Sequence, residues 1–396
     1  MVFGLDTTDV GFPDPSLADP DGLLAIGGDL SVLRLLNAYH FGIFPWYCVE
    51  GEPYWFSPEQ RMVLFPSHFH CSKSLSRTLA SHRFEVRIDT CFREVMTRCA
   101  LVERADQGGT WIDQNFIDAY CELHDEGFAH SFETFQNGRL VGGLYGVSLS
   151  DYFCGESMFH EATDASKAAF ARMVDFALLH RFRFIDTQMY TPHLASLGAE
   201  EISRRRFMEL LEKQEFERTY RGRWRSNSVV LLIGGNEGDR VSLIMQAMVL
   251  IADRVGTVSV ASSLFETEPW GFESPQRFLN QALVVDTDLP ADEVLHRVLE
   301  IEKELGRIRP EGFDAASLSK EKIYSSRPMD IDLIFYNNEV INTKDLIIPH
   351  PRMHQRRFVL EPLLQIIPDF IHPKLHKTVS QLYTECLDKG EVNIYF

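Results

Sequence analysis

Two successive patterns of apolar and polar positions run along this chain and meet at a polar step, Ser226-Asn227-Ser228. Upstream, apolar runs at His130–Thr134, Leu140–Ser148, Tyr152–Phe159 and Phe182–Gln188 predict strands. Spacings of three and four predict helices over Gln114–Glu126, Ala165–His180 and Arg204–Phe216, and also mark Cys91–Arg104. An earlier helix is expected after a cap at Asp29 or Ser31, with Leu33, Leu36 and Tyr39 on one face and a stop at Gly42. Downstream, the apolar run Val229–Ile233 starts afresh and breaks into a glycine turn at Gly234–Asp239. Helix Arg240–Val255, strands Thr257–Phe265 and Asn280–Thr287, helix Ala291–Leu305, strand Asp330–Tyr336 and helix Gln355–Ile366 follow. A strand that opens a new pattern straight after a polar step marks a new domain.

The division expected is a small N-terminal lobe over 1–62, a larger α/β domain over 63–217, a basic and polar linker over 218–228, and a second domain over 229–396. The order β-α-β-β-α-β in that second domain suggests a ferredoxin-like α+β sandwich. In the first half, antiparallel strands followed by strand–helix–strand resemble the acetyltransferase-like (GNAT) fold. The coenzyme A loop of that fold, Arg/Gln-x-x-Gly-x-Gly/Ala, is missing before Ala165–His180, which disfavours a coenzyme A acyl donor.

Length supports this partition, since 396 residues exceed one ordinary core. The net charge of −18 divides into −10 before residue 227 and −8 after it, which excludes indiscriminate nucleic-acid binding but not a local basic patch. Two such patches stand out. Lys73, Arg77, Arg83, Arg87, Arg93, Arg98 and Arg104 oppose four acids, and eight cations over Arg204–Arg225 oppose another four. Each is read either as a solvated surface or as a contact for nucleic-acid phosphate. The seven cysteines are odd in number and lack C-x-x-C spacing, so reduced thiols and a cytoplasmic location are expected. The N-terminus lacks a signal-peptide pattern, and no apolar run reaches membrane-spanning length, so no membrane partner is expected. His68 and His70 beside Cys71 have no further ligand at metal-site spacing.

The chemistry of the first half concentrates in Cys154-Gly155-Glu156-Ser157-Met158-Phe159 and Phe184-Ile185-Asp186-Thr187-Gln188. Strand alternation puts Asp186 and Gln188 on one face, where a carboxylate can orient an amide. The aromatic cluster from Phe41 to Phe56, which includes Trp46, is either the core of the small lobe or a wall for a base or apolar side chain. FPWY, WFSP, GTWI, VGGLYGV, CGESMF and FIDTQMYTPHLASLGA occur in this order. Together they resemble leucyl/phenylalanyl-tRNA–protein transferases over roughly residues 10–215. The resemblance implies ATP-independent transfer of Leu or Phe from Leu-tRNA or Phe-tRNA to the α-amine of proteins beginning with Arg or Lys, with no cofactor. It implies that Asp186 acts through Gln188 on the attacking amine, and that Glu156 binds the cationic acceptor or positions the ester. Trp46 and Trp111 would stack the terminal adenosine, and Met158 and Leu144 would line the apolar side-chain pocket.

In the second half the strongest signal is Arg327-Pro328-Met329-Asp330-Ile331-Asp332-Leu333-Ile334. Asp330 and Asp332 are two apart at a strand start, so both carboxylates face one way and need a cation between them. Hard oxygen donors at a nucleotide site favour Mg²⁺. Thr267, Pro269, Trp270, Phe278 and Asn280 lie upstream, with Glu302 and Gly306-Arg307-Ile308-Arg309 between, and Ile348-Pro349-His350-Pro351, Arg356 and Phe358 beyond. These motifs resemble 6-hydroxymethyl-7,8-dihydropterin pyrophosphokinases. The resemblance implies transfer of pyrophosphate from ATP to the pterin hydroxymethyl group, with two Mg²⁺ ions on Asp330 and Asp332. It implies ATP contacts from Glu302, Arg307, Arg309, Arg327, His350 and Arg356. The pterin would meet Thr267, Pro269, Trp270, Phe278, Asn280, Tyr324 and Phe358. The segment Pro310–Ser326 reads as a lid over ATP. The rival expectation is a working pyrophosphokinase fused to a catalytically silent tRNA- or peptide-binding module.

Overall fold

The computed structural model describes residues 2–81, 83–102, 112–213, 219–308 and 325–395. Two compact units divide the chain, one of Met1–Ala177 with Phe182–Trp224 and one of Leu178–Arg181 with Arg225–Phe396.

The first unit opens with β1 (Phe3–Leu5), β2 (Leu23–Gly27), α1 (Val32–His40), β3 (Phe44–Val49) and β4 (Glu52–Phe56). These strands form a sheet in the order β1-β2-β4-β3. Helix α1 buries Leu35, Ala38 and Tyr39, whereas Leu33 is 70% exposed, so the apolar stripe is rotated from the one expected. Arg34 is fully buried on the inward side, where its guanidinium meets the Asp6 carbonyl and Asp29.

A seven-stranded mixed sheet follows, from β5 (Gln60–Leu64), β6 (Glu85–Ile88), β7 (Ala129–Gln136), β8 (Arg139–Leu149), β9 (Tyr152–His160), β10 (Phe184–Gln188) and β11 (Glu200–Ser203). Its order is β11-β5-β10-β9-β8-β7-β6, parallel between β9 and β10 and antiparallel at every other step. Helices α2 (Lys73–Ala80), α3 (Phe92–Ala100), α4 (Gln114–Asp125), α5 (Ala165–Leu179), α6 (Pro192–Ser196) and α7 (Arg204–Leu211) complete the unit. Side-chain caps start several of them: Ser72 accepts the Leu75 N–H, Asp113 the Phe116 N–H, and Ser203 the Arg206 N–H. Helix α5 is largely buried, with Lys167 and Asp175 among its few partly exposed positions. Three arginines of the first basic patch are paired, Arg87 with Glu85, Arg93 with Asp118, and Arg98 with Glu94 and Glu161. The solvated-surface reading accounts for those three.

The segment expected to be a linker packs onto the first unit. Trp224 is 1% exposed and stacks on His130 at 3.6 Å and on Phe176 at 4.2 Å. Its main-chain N–H donates to Asp89 (2.9 Å), which also accepts from Ser131 N–H and bonds His130. Among the described residues Asp89, His124 and His130 are the one group whose ligand atoms cluster closely enough for a metal. These hydrogen bonds account for the cluster. Apolar burial thus overrode a basic, solvent-like local sequence.

The second unit is β12 (Asn227–Gly235), α8 (Arg240–Arg254), β13 (Thr257–Ala261), β14 (Phe265–Thr267), β15 (Phe278–Thr287), α9 (Ala291–Glu304) and β16 (Asp330–Tyr336). Then come β17 (Ile341–Asn342), β18 (Ile347–Ile348), α10 (Arg357–Ile366), α11 (Val379–Glu385) and β19 (Val392–Ile394). The antiparallel sheet runs β16-β12-β15-β14-β19, with β13 also on β15 and β17 paired separately with β18. One expected strand, Thr257–Phe265, is two strands, and β19 was not expected at all. Gly234 and Gly235 belong to β12 rather than to a turn. Across the sheet, α8 and α9 cover one face with Ile244, Ile251, Val294 and Ile301, and α10 and α11 cover the other with Val359, Leu363 and Leu382.

All seven cysteines are free thiols, with Cys99, Cys121, Cys154 and Cys386 buried. Among the described residues no helix is long and apolar enough to cross a membrane.

Trp224→Ala removes a fully buried aromatic and should cost about 3–5 kcal/mol. Urea unfolding of the full chain measures it, and an unchanged transition would refute the anchoring role.

Candidate functional site

In the first unit, β9 and β10 lie side by side with Asp186 level with Cys154. The pairing of β10 with β5 slips by one residue between Asp186 and Gln188, and Gln188 takes φ +60°. That left-handed conformation costs a residue with a Cβ roughly 1–2 kcal/mol. Strain of this kind persists where neighbours impose it. Here the Gln188 N–H donates to Asp186 Oδ1 at 2.9 Å, while its side-chain Nε2 donates to Glu156 Oε1 at 2.8 Å. Asp186 therefore reaches Gln188 through the main chain, and the amide side chain is turned to Glu156. Simple alternation did not anticipate this.

Asp186 is fully buried and forms a two-pronged pair with Arg61, Nε to Oδ1 at 2.8 Å and Nη2 to Oδ2 at 2.6 Å. The guanidinium is itself sandwiched between the Phe44 and Phe207 rings at 4.7 and 4.6 Å. Arg61 was not anticipated; the signal available was one cation at the head of the apolar run Met62-Val63-Leu64. Glu156 bonds Tyr120 as well as Gln188, and Tyr120 makes a short hydrogen bond to Tyr39. Burial, the largest influence, pushes the Glu156 carboxyl up to about 8, so it is mostly uncharged at neutral pH.

Glu156 and Gln188 stand on the wall of a cleft of about 640 Å³. Leu144 and Met158 are cross-strand partners in it, Phe170 and Met173 come from α5, and Trp46 from β3. Trp46 packs edge-on to Phe56 at 4.9 Å. Trp111 lies outside the described residues.

In the second unit, β12 runs between β15 and β16, with Gly234 level with Asn280 on one side and Asp330 on the other. A Cβ on Gly234 would lie 2.7 Å from the Leu279 carbonyl oxygen and 2.2 Å from Asn280 Oδ1, so a side chain there would force the neighbouring strand to shift. Asp330 and Asp332 both line a second cleft beside Arg327, Arg356, Trp270, Phe272, Phe278 and Phe358. Arg307 and Arg327 both make short ion pairs with Asp330. Glu302 is 1% exposed; it accepts the Ile331 N–H at 2.8 Å and faces Arg307 at 3.5 Å. It thus buttresses β16 from behind. Arg356 lies against the Trp270 and Phe358 rings at 4.5 and 5.6 Å, and Asn280 Nδ2 donates to Thr267 Oγ1 at 2.8 Å. Glu302, Arg307, Pro269 and His350 fall outside the lining of this cleft, whereas Glu268 and Phe272, not anticipated, are part of it. Arg309, Tyr324 and nearly all of Pro310–Ser326 lie outside the described residues.

A family model described as leucyl/phenylalanyl-tRNA protein transferase matches residues 63–212, and one for the N-terminal domain of that transferase matches 28–59. A transferase of that name from Desulfatibacillum aliphaticivorans is 58% identical over 214 residues, 54% of this chain and 91% of that protein. The chain belongs to the leucyl/phenylalanyl-tRNA protein transferase family. Another transferase relative, from Syntrophobacter fumaroxidans, is 49% identical over 227 residues, 57% of this chain and 97% of the relative. Glu156, Asp186 and Gln188 sit inside the transferase match at 63–212, and Trp46 inside that at 28–59.

Beyond the transferase stretch, a model described as 7,8-dihydro-6-hydroxymethylpterin-pyrophosphokinase matches residues 230–368. The chain thus joins sequences like those of two enzyme families. Among solved structures, a Plasmodium falciparum HPPK-DHPS triple mutant is 18% identical with a TM-score of 0.32, covering 41% of this chain and 44% of that one. The wild-type HPPK-DHPS gives the same TM-score over 40% and 43%. This chain spans less than half of those chains.

Two outcomes follow for the transferase half. Arg61→Ala leaves a buried carboxylate without its partner and should destabilise by about 3–5 kcal/mol; Arg61→Lys, lacking the planar fork, should recover only part of this. Denaturant melts of the three proteins decide it. The Glu156 carboxyl is held far above its ordinary 4.5, so the stability it contributes is complete below that value and lost as pH rises through about 8. Glu156→Gln cannot ionise, so its stability should vary less than the wild type's between about pH 5 and pH 9. Parallel curves would contradict the assignment.

Proposed function

We propose that this chain is a bifunctional enzyme. Its first half transfers Leu or Phe from aminoacyl-tRNA to the α-amine of proteins that begin with Arg or Lys, tagging them for degradation. Its second half transfers pyrophosphate from ATP to 6-hydroxymethyl-7,8-dihydropterin, a step of folate synthesis, releasing AMP. In this reading 63–217 is an acetyltransferase-like (GNAT) domain preceded by the small lobe 1–62, and 229–396 is a ferredoxin-like sandwich. The substrates are met in the cytoplasm. Support for the second assignment includes the sheet order β16-β12-β15-β14, in which the first strand of the unit lies inside.

One observation carries the transferase reading: an apolar cleft whose wall bears the Gln188–Glu156 pair. Leu144 and Met158 receive the Leu or Phe side chain, and Trp46, with Trp111, stacks the terminal adenosine of the tRNA. The acceptor α-amine, with an ordinary pKa of about 8, is neutral often enough to attack the ester carbonyl. The C–N bond forms, the ester C–O bond breaks, and the amine's proton ends on the released ribose hydroxyl. With Gln188 Nε2 committed to Glu156, the amide oxygen is the acceptor offered to the amine. Asp186, neutralised by Arg61, acts on this step by fixing the Gln188 main chain. A mostly uncharged Glu156 suits positioning of Gln188 and the ester better than binding of the acceptor's cation.

For the second half, Asp330 and Asp332 offer hard carboxylate oxygens from one strand face, a donor set that fits Mg²⁺. The arginines against Asp330 fit the same need for positive charge. Two Mg²⁺ ions, when bound, supply charge neutralisation to the polyphosphate. Arg327 and Arg356 grip phosphate oxygens, with Arg307 released from Asp330 to join them, and Arg309 and His350 add further nucleotide contacts. Trp270, Phe278 and Phe358 hold the pterin ring, with Pro269 at its margin and Asn280 and Thr267 at its polar edge; Tyr324 is the remaining candidate for ring contact. Glu302 positions β16 and Arg307 for the nucleotide. The pterin oxygen attacks the β-phosphorus, the α–β bridge breaks, and the hydroxyl proton leaves to solvent.

Labelled Leu should pass from charged tRNA to an Arg-starting peptide with the wild type, and at least about 100-fold more slowly with Gln188→Ala. No transfer by the wild type would favour the silent binding module. Asp330→Ala and Asp332→Ala should each abolish AMP formation while leaving peptide labelling intact; undiminished AMP would overturn the pyrophosphokinase reading.

A further inference from the structure

Trp270 and Phe272, two of the rings that wall the second cleft, stand on the connection between β14 and β15, and both ends of that connection meet one residue. Glu391 precedes β19, which pairs with the edge of β14 so that Val392 lies level with Thr267. At the near end, the Glu268 N–H donates to the Glu391 carbonyl at 3.4 Å, and the Glu391 N–H donates to Glu268 Oε2 at 3.5 Å. At the far end, Arg277 Nη2 donates to Glu391 Oε2 at 2.7 Å and lies 3.7 Å from Glu268. A second brace lies behind. Arg240, at the start of α8, donates to Glu266 (2.9 Å) and to the Arg277 carbonyl (2.8 Å), and its guanidinium is 5.7 Å from the Tyr395 ring. The Tyr395 N–H in turn donates to the Leu264 carbonyl at 2.7 Å.

Closing a loop at both ends lowers the conformational entropy left to be lost when a ligand orders it. We propose that Glu391 and β19 are a positioning device for the ring-binding side of the second cleft, holding residues 268–277 so that Trp270 and Phe272 face a planar heterocycle. This rests on the pterin reading of that cleft. Glu391 touches the loop ends, while Asp330, Asp332, Arg307 and Arg327 stand on or beside β16 and the end of α9; Arg356, packed on Trp270, is the one phosphate-side group that the loop also touches. Its influence is therefore selective. The Glu391–Arg277 pair is about half exposed, so a modest, salt-sensitive effect is expected.

The full chain should be assayed as wild type, Glu391→Ala, Glu391→Asp and the charge exchange Glu391→Arg/Arg277→Glu. Binding of 6-hydroxymethylpterin is read directly by calorimetry in the presence of a non-hydrolysable ATP analogue. Glu391→Ala should raise the pterin Kd and KM about five-fold. Its kcat and its KM for ATP should stay within about two-fold, because the groups on and beside β16 are untouched and the loop reaches the phosphate side only through Arg356. Glu391→Asp and the charge exchange should restore part of the loss, and at high salt wild type should approach Glu391→Ala. Equal pterin affinity in wild type and Glu391→Ala, or an equal loss for ATP and pterin, would overturn the positioning role. Failure of the wild type itself to bind pterin would instead overturn the functional reading on which it rests.

Discussion

The first unit is arranged around a buried charge that has to be neutralised. Asp186 lies on an inner strand of the seven-stranded sheet with no exposed surface, and a lone carboxylate there would carry a large desolvation penalty. Arg61 answers it from the adjacent strand, with Phe44 of β3 and Phe207 of α7 on its two sides. The two sheets of the unit and α7 therefore meet at one guanidinium. Such a pair contributes little net stability against an apolar replacement, yet removing one member is expensive. Its value lies in what it orients. Asp186 grips the Gln188 N–H, Gln188 turns to Glu156, and Glu156 leads to Tyr120 and Tyr39. The polar chain passes from a dry interior to the wall of the cleft with each member bonded to the next.

The second unit solves a related problem differently. Asp330 and Asp332 crowd like charges at a strand start, and Arg307 and Arg327 balance the first of them at the cleft rather than beneath it. Glu302, fully inside, holds the Ile331 N–H and so keeps β16 in place behind the acids. Buried charge in the transferase half thus shapes a backbone, whereas the paired charges of the other half line a cleft.

Legibility in the sequence followed the physics of each element. Strands such as β8, β9 and β16, and the long helices α5, α8 and α9, came through because their burial writes a period into the chain. Glu156, Asp186, Gln188, Asp330 and Asp332 stood out as candidates because they occur in dense motifs. Arg61 was not, because a cation within an apolar run carries no local sign of the carboxylate that pairs with it 125 positions later. Nor was the left-handed turn at Gln188, since glutamine has no preference for it. The segment ending at Trp224 looked solvent-loving by its arginines, and only Tyr220 and Trp224, four apart, hinted at a packed face. β19 was missed because a three-residue edge strand is defined by its partner, β14, more than by its own composition.

The distribution of thiols gives each half its own chemical clock. Cys99 and Cys154 are shielded in the first unit, where burial holds the Cys154 thiol well above its usual range, and Cys386 is shielded in the second at the end of α11. Only an accessible thiolate attacks an alkylating reagent, so these sites are silent until the surrounding structure opens. The rate at which each becomes labelled reports the opening of its own half, with no dye or tag added, from a single chain in a single tube.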